Sequence, residues 1–377
     1  MLQALLGIRV IWRMVRSAGG ERITADHCTG ASGDYLVKER VSVIVPVLNE
    51  HNRLSLCLEG LIAQGAEVHE ILVVDGGSND GTQQLVRTYA QRDPRMRLVD
   101  ASPVPTNWNG KVWGLQVGLC SASPDSNWML TVDADVRPKA PLMHALLAHA
   151  KRARLSALSV ATLQEIESVG EGLLHPSLLT TLVYRFGIPG KVIRQVSEVQ
   201  ANGQCFLFRR DALEACGGFL VTRHSVCEDI TIARALVAAG HPIGFYEAGD
   251  LVSVNMYADW RDTWRNWTRS LPMHDRFSGI HTLFGWLEVA LVQALPLPFM
   301  LFLIIARTQH SWLMMLNSIL LSVRIGVLFG TARAYQRRPW SYWLSPLCDL
   351  PVAVQLLRST LQRRHVWRGR VLVRGGI

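Results

Sequence analysis

The sequence predicts an α/β protein whose core is a Rossmann-like, mostly parallel sheet, followed by C-terminal hydrophobic membrane helices. Three observations carry that prediction. From Val41 onward, short β-rich apolar runs, VSVIVPV, EILVVD and NWMLTVDAD, alternate with helix-like stretches at Arg53–Gln64 and Gly81–Arg92. Runs this apolar are strands covered on both faces, and strand, helix, strand in this order makes parallel βαβ units. Three longer apolar runs then close the chain. The composition suits them, since 49% of residues are apolar and only 18% charged, which excludes a disordered chain and an ordinary charged soluble surface.

Taken in order, residues 1–16 (MLQALLGIRVIWRMVR) lack the apolar stretch of about 7–15 residues and the small-residue cleavage site of a signal peptide. An amphipathic interfacial helix is expected, with Leu2, Leu5, Leu6, Trp12 and Val15 interleaved with a stripe of Arg9, Arg13 and Arg16. Packing on the rest of the protein is the other reading. Residues 17–39, with Gly, Ser, Thr and Asp, read as a linker, and the sheet domain is expected over residues 40–280.

Beyond it, Leu283–Ala306 is almost entirely apolar over 24 residues, about 36 Å as helix and enough to cross a bilayer. Trp312–Leu328 is a second candidate, interrupted by Asn317 and Arg324. Trp340–Leu361 is a third, with Pro346, Asp349 and Pro351 in its middle. Arg333, Arg337 and Arg338 follow the second run, and Arg363, Arg364, Arg368 and Arg370 follow the third, so both flanks are expected in the cytoplasm. Two spans plus a re-entrant or interfacial third segment, bent at Pro346–Pro351, satisfy both within residues 281–362. Residues 363–377 are then a basic cytoplasmic tail. The expected location is a cell membrane, inner or thylakoid, crossed more than once, with the sheet domain on the cytoplasmic side.

The 39 Lys and Arg against 30 Asp and Glu give a net charge of +9. That charge suits anionic head groups or phosphorylated substrates, and by itself would suit nucleic acid equally. The seven cysteines are scattered and never spaced C-x-x-C, which argues for a reducing compartment and against a disulfide framework or zinc knuckle.

The chemistry is concentrated where strands end. The first strand ends in Pro46-Val47-Leu48-Asn49-Glu50 and the next in Val74-Asp75-Gly76-Gly77-Ser78-Asn79-Asp80-Gly81-Thr82. Ligands of an open parallel sheet bind beyond the carboxyl ends of its strands, so Asp75, last on its strand, is placed to meet one. Ser78, Asn79 or Asp80 has the alternative use of capping the helix that starts near Gly81. No G-x-G-x-x-G or G-x-x-x-x-G-K-[ST] pattern occurs, which removes the dinucleotide and P-loop readings. A third strand ends in Thr131-Val132-Asp133-Ala134-Asp135. Two carboxylates this close behind a buried strand are costly without positive charge, and a hard divalent cation bridging to phosphate oxygens supplies it.

With these three strand ends, residues 41 to about 240 resemble a family 2 glycosyltransferase, the inverting GT-A type that moves a sugar from a nucleotide-diphosphate donor. The resemblance implies that Asp75 and Asp133 hold the nucleotide with Pro46 and Glu50 nearby, and that Asp135 holds Mg²⁺ or Mn²⁺. Lys111, in Trp108-Asn109-Gly110-Lys111, matches a lysine that contacts the donor; a solvated surface lysine is the plain alternative. Asn202-Gly203-Gln204-Cys205-Phe206, continuing to Gly217-Gly218-Phe219, is similar to the segment lining the donor-sugar and acceptor cleft. Cys227-Glu228-Asp229-Ile230 opens a helix running to Gly240, and the family places its general base at Asp229, to take the proton of an attacking hydroxyl. An N-cap is the plainer use of Asp229, the base is the favoured one, and the two roles are compatible.

Past the sheet lies a cluster of Trp260, Trp264, Arg265, Trp267, Arg269 and Ser270. Processive polysaccharide synthases carry Q-x-x-R-W near this position, whereas this chain reads Asp262-Thr263-Trp264-Arg265-Asn266-Trp267-Thr268-Arg269-Ser270-Leu271. The departure points to a single sugar transferred to a lipid. The W-R-N-W-x-R-S-L wording is most similar to bacterial carotenoid glycosyltransferases, especially the cyanobacterial type acting on a carotenoid 2′-hydroxyl. Interfacial anchoring is the other use of such a cluster. Gln204, Glu228, Arg265, Trp267 and Arg269 are expected to contact the acceptor or the diphosphate. The expected function is thus a membrane-attached inverting hexosyltransferase with a UDP- or GDP-linked donor, a lipid or carotenoid acceptor and no nucleic-acid partner. A ceramide- or hopanoid-type lipid glycosyltransferase is one alternative. A non-catalytic nucleotide-sugar binding membrane protein is another, expected to lack Asp135 or Asp229; both are present.

Overall fold

The computed structural model describes residues 1–25, 39–225, 227–257, 259–270, 279–307, 310–362, 364–367 and 370–373. A helix, α1 (Leu2–Ser17), comes first. Then β1 (Val41–Val47), α2 (Leu54–Ile62), β2 (Val68–Asp75), α3 (Thr82–Arg92), β3 (Met96–Asp100), α4 (Gly110–Ser121) and β4 (Trp128–Val132) alternate as the sequence pattern expects. β5 (Val136–Pro138), α5 (Leu142–Arg152), β6 (Ala157–Ala161) and the short β7 (Leu163–Gln164) lead to α6 (Val169–Phe186). Next come β8 (Lys191–Ile193), β9 (Cys205–Arg209), α7 (Arg210–Ala215), α8 (Glu228–Ala238), β10 (Ile243–Glu247) and β11 (Val252–Val254). The remainder is α9 (Trp260–Ser270), α10 (Gly279–Glu288), α11 (Pro296–Ile305), α12 (Ser311–Thr331), α13 (Asp349–Leu361) and a hairpin of β12 (Arg364–Trp367) and β13 (Arg370–Val373). These elements form two compact units, residues 20–163 with 189–256, and residues 1–19 with 164–188 and 257–377.

The first unit is α/β, with an eight-stranded sheet in the order β3-β2-β1-β4-β9-β6-β10-β8. It is mostly parallel: β1 runs with β2 and β4, β2 with β3, and β6 with β10. β9 runs against both its neighbours and β8 runs against β10. Alternate residues of β1 divide its burial between two cores, Val43, Val45 and Val47 with Leu54, Leu58 and Leu61 of α2, and Ile44 with Val112, Leu115 and Leu119 of α4. Each such side chain contributes about 1.5–3 kcal/mol by leaving water, which is why these runs carry no polar alternation. A Cβ at Gly118 would stand 2.4 Å from Ile44 Cγ2, so α4 lies against β1 at a distance only glycine permits. The N-terminus of α4 therefore opens at the carboxyl edge of the sheet.

The second unit is helical. Leu174 and Leu178 of α6 pack with Trp267, Val289, Val352 and Leu356. Leu6 and Val10 of α1 pack with Val183, Tyr184, Val292, Leu320 and Val327. α6 and α9 lie within the span expected for the sheet domain, yet their apolar faces are completed by α1 and the C-terminal helices. On α1, Arg9 and Arg13 each meet the buried Glu288 carboxylate at 3.0 Å. The outward stripe is instead apolar, with Leu5, Ile8, Trp12 and Val15 exposed.

The first apolar run is α10, a π-helical turn at Val289–Ala294, and α11, with a bend of 46° between Thr282–Ala294 and Pro296–Ile305. Proline at the break removes a backbone donor and turns the helix. Among the described residues one helix, Ser311–Ala334, is long and apolar enough to cross a bilayer, and the bent pair would count as a second. The third run is not one helix. It is 3₁₀-helical over Trp340–Cys348 and becomes α13 at Asp349. Arg324 and Asp349, 1% and 2% exposed, pair with each other: Arg324 Nε donates to Asp349 Oδ2 at 2.8 Å and Nη2 to Oδ1 at 3.0 Å. Within the expected tail, β12 and β13 pair antiparallel, while Arg363 and Arg368 lie outside the described residues, as do residues 26–38 of the expected linker.

Candidate active site

Two loops leave the carboxyl ends of β1 and β2 and lock together. Asn49, with φ of 56°, donates its N–H to Ser78 Oγ at 2.9 Å and accepts from Asn79 N at 3.0 Å. Glu50 N donates to Thr82 Oγ1 at 2.9 Å and His51 N to Asp80 Oδ2 at 3.1 Å. The N-cap position of α3 is Gly81; Asp80 Oδ1 accepts from Thr82 N at the start of that helix at 3.0 Å, while its Oδ2, Ser78 and Asn79 join the two loops. Asp75 is buried, and its carboxylate accepts from Gly77 N, Ser78 N and Gln83 Nε2, the last at 2.7 Å. It shapes its own turn. Pro46 sits beneath α4, where a Cβ on Gly114 would be 3.3 Å from Pro46 Cβ.

At the end of β4, Asp133 N donates to Gln204 O at 3.0 Å, at the entry to β9. Lys111 Nζ lies 2.7 Å from Asp133 Oδ1 and 2.7 Å from Glu228 Oε1, so it is no solvated surface lysine. Burial alone would pull its pKa down, but Asp133 and Glu228 outweigh that and hold it well above the usual lysine value. Asn109 caps α4 by accepting from Lys111 N at 3.1 Å, and donates through N to Arg223 O at 2.9 Å and through Nδ2 to Ser225 O at 3.1 Å. The start of α4 is thereby tied to the loop that leads into α8. Asp135 keeps Oδ1 buried without a hydrogen-bond partner. Burial, then the charges of Asp133 and Glu50, push its carboxyl up to about 7.

Glu228 and Asp229 are the first two residues of α8, and the N-cap position is Cys227. Asp229 is therefore not the N-cap. Its carboxylate accepts from Gly203 N at 2.9 Å and Ile230 N at 2.8 Å. Burial and the adjacent Glu228 push it up to about 7, against Lys111 and the two amides. A Cβ on Gly203 would stand 3.2 Å from Asp229 Cβ and 3.3 Å from Glu228 Oε1, so glycine lets this strand entry approach the helix start. Gln204 is buried with Oε1 accepting from Thr162 Oγ1 at 2.6 Å and Asn202 Nδ2 at 2.9 Å, while its Nε2 has no partner. An unmatched buried donor or acceptor costs about 1–3 kcal/mol until something satisfies it. Asp135 Oδ1 and Gln204 Nε2 are two such groups at one sheet edge.

Residues 42–217 match the family model described as Glycosyl transferase family 2. That stretch, just under half of the chain, is similar to family 2 glycosyltransferases. A 4,4'-diaponeurosporenoate glycosyltransferase of Staphylococcus aureus is 24% identical over 239 residues, 61% of this chain and 60% of that protein. The glycosyltransferase GlyA of Streptococcus pneumoniae is 35% identical over 65 residues, 17% of this chain and 9% of that protein. The chain thus spans less than two thirds of the length of these curated relatives. Among solved structures, the mannosyltransferase PcManGT from Pyrobaculum calidifontis, in complex with GDP-Man and Mn²⁺, aligns with 94% of this chain and 99% of that one, at 19% identity and a TM-score of 0.49.

The sheet's carboxyl edge offers the donors that a hard divalent cation takes. Carboxylate oxygens suit Mg²⁺ and Mn²⁺, Asp135 Oδ1 is buried and unsatisfied, and the charges of Asp133 and Glu50 bear on it. Among the described residues, no group of three His, Cys, Asp or Glu could hold a metal. Asp135, with Asp133 and Glu50 close enough to act on it, therefore fits a hard divalent cation.

The cluster on α9 belongs to the helical unit. Trp267 is 7% exposed, its ring centroid 3.9 Å from that of His175 and 6.4 Å from that of Tyr257. Against the expectation of an acceptor or diphosphate contact, this indole is committed to core packing. Arg265 is exposed, and Arg269 is on the last turn of the same helix with its side chain outside the described residues. Sequence reading missed Thr162, which with Asn202 orients the Gln204 amide, and the capping role of Asn109, whose place just before Gly110-Lys111 is a readable N-cap signal. It also missed Cys57, whose Sγ lies 3.7 Å from Asp133 O.

Proposed function

We propose that the chain is a membrane-attached inverting glycosyltransferase that moves one sugar from a nucleotide-diphosphate sugar to a hydroxyl of a lipid, with a carotenoid hydroxyl the first acceptor to test. One observation carries the chemistry: Lys111 joins Asp133 to Glu228, beside Asp229, so an acidic donor edge and a candidate base share one rim of the sheet. In this reading Asp133, with Asp75, Pro46 and Glu50 nearby, holds the nucleotide. Asp135 holds Mg²⁺ or Mn²⁺, which when bound supplies positive charge to the diphosphate. Lys111 and Gln204 Nε2 donate to donor oxygens, where charge-assisted hydrogen bonds are strongest. Asp229 takes the acceptor proton as the hydroxyl oxygen forms its bond to the anomeric carbon. The bond to the diphosphate oxygen breaks on the opposite side, so the configuration inverts. A carboxylate at about 7 is well matched to accept a proton near neutral pH. Arg265 and Arg269 are left for acceptor or head-group contacts.

The membrane reading is supported by the Ser311–Ala334 helix, by the apolar outer stripe of α1, suited to an interfacial helix, and by the exposed Trp340, Trp343, Leu344, Leu347 and Leu350. The proposed arrangement is multi-pass, with two spans, an interfacial third segment and the glycosyltransferase domain on the cytoplasmic side. The lipid acceptor is further supported by the name of the staphylococcal relative. The test uses purified full-length protein in detergent with Mn²⁺, radiolabelled UDP-glucose, UDP-N-acetylglucosamine and GDP-mannose, and carotenoid and polar-lipid extracts as acceptors. A labelled lipid product is expected. Nucleotide binding without transfer from any donor would leave only a binding protein.

A further inference from the structure

The proposed function uses Glu228 only as the far end of the Lys111 bridge, yet its carboxylate is buried and holds one end of a two-point contact. An ammonium has three N–H donors, and those of Lys111 meet Asp133 Oδ1 and Glu228 Oε1 at 2.7 Å each, which leaves one for a ligand. Lysine is a point charge on a flexible stem of four carbons. Asp133 alone would let that stem swing; a second carboxylate on the first turn of α8 fixes it. The two helix starts are themselves fixed by Asn109, through Arg223 O and Ser225 O. We infer that Glu228 is a positioning residue that acts through Lys111, holding its ammonium at the junction of the Asp133 donor edge and the Asp229 base. The inference rests on the transfer reading. Asp229 is faced by two charged groups, Glu228 on its own helix and Lys111 from α4, while the 202–204 segment offers it the Gly203 amide. Glu228 and Lys111 therefore tune the base in opposite senses, Glu228 strengthening its hold on a proton and Lys111 weakening it.

The experiment is calorimetric titration of UDP and of GDP, in MnCl₂, into full-length wild type, Lys111→Met, Glu228→Gln and the double variant, with thermal unfolding as the check on folding. Losing a hydrogen bond to a charged group should weaken nucleotide binding by on the order of tenfold or more in Lys111→Met. Glu228→Gln should lose less, and in the Lys111→Met background it should cost nucleotide binding nothing further, because Glu228 reaches the nucleotide only through the lysine. With the donor and acceptor that prove active, the acidic limb of kcat/KM should move to lower pH in Glu228→Gln and to higher pH in Lys111→Met. A purely structural glutamate would move neither limb. Should Glu228→Gln not fold, Glu228→Asp serves in its place with a smaller effect expected. Wild-type affinity in Glu228→Gln, or losses that add in the double variant, overturns the inference alone. Failure of wild type to bind either nucleotide removes the transfer reading and the inference with it.

Discussion

Replacing Asp349 by alanine strips the acceptor from four hydrogen bonds in the interior of the helical unit: two from Arg324, one from Ser177 Oγ at 2.6 Å and one from Gln293 Nε2 at 2.8 Å. Of the contacts described for the Arg324 guanidinium, only Ser345 Oγ at 3.1 Å then remains. Removing one partner of a buried ion pair costs about 3–5 kcal/mol, because the other charge stays desolvated. At about 2–4 °C per kcal/mol for a unit of this size, the midpoint should fall by about 6–20 °C. Arg324→Met/Asp349→Leu removes both charges and keeps the volume, so it should unfold within a few degrees of wild type, since apolar replacement of a buried pair is often neutral or better. Thermal unfolding of purified full-length protein in detergent, followed by tryptophan fluorescence, reads Asp349→Ala and the cycle of wild type, Arg324→Met, Asp349→Leu and the double variant. A double variant that falls as far as the sum of the singles would refute the pairing argument, as would an unchanged Asp349→Ala.

Donor binding should require a divalent cation, and Asp135→Ala should lose transfer without losing thermal stability, since it deletes a buried oxygen that has no partner; undiminished turnover in excess EDTA would end the metal role. Asp229→Asn should keep nucleotide binding and lose transfer by on the order of 10² to 10⁴, whereas a near-normal rate would make that carboxylate structural. Because Asp229 rises from 3.8 to about 7 and a base works only when ionised, kcat/KM should climb with pH and level off above about 7; a profile flat from about pH 5 to 8 contradicts this. A single cysteine placed after Gly376 in a cysteine-free background should resist an impermeant maleimide in intact spheroplasts, and labelling before lysis would establish three full spans.

The strands were legible because burial on both faces leaves an unmistakable mark. VSVIVPV has no polar alternation, its one serine being buried on Glu70, and in the structure β1 lies between two cores. The position of the candidate residues was legible for a related reason: polar groups that follow such a run fall at the sheet's carboxyl edge, where Asp133 is found bonded to Lys111. α6 was not legible as a member of the helical unit. Its sequence says only that one face is apolar, and the residues completing that face, Val289, Val352 and Leu356, are more than a hundred positions away. Trp267 misled for the same reason, since a tryptophan at an aqueous rim and one packed against a buried histidine look alike in a sequence.

The charges give the sharpest case. Arg9 and Arg13 read as the polar stripe of an interfacial helix, Arg324 as an interruption of one apolar run, and Asp349 as a defect in another. Each is one half of a pair: Glu288 takes the first two, and Arg324 takes Asp349. Partners 25 residues apart in one case and 275 in another leave no local pattern to read. This changes the weight of the topological argument. An isolated aspartate at mid-bilayer costs about 2.5–3.5 kcal/mol on the insertion scale, which alone would disfavour a third full span. Once Asp349 is matched by Arg324 and hydrogen-bonded by Ser177 and Gln293, that objection falls away. What still argues for a segment lying at the interface is the break from 3₁₀ to α-helix at Asp349, the apolar outer face from Trp340 to Val354, and the arginines that follow Leu361, which a full crossing would carry to the wrong side. The labelling experiment therefore tests the helix break and the arginine count, not the cost of the aspartate.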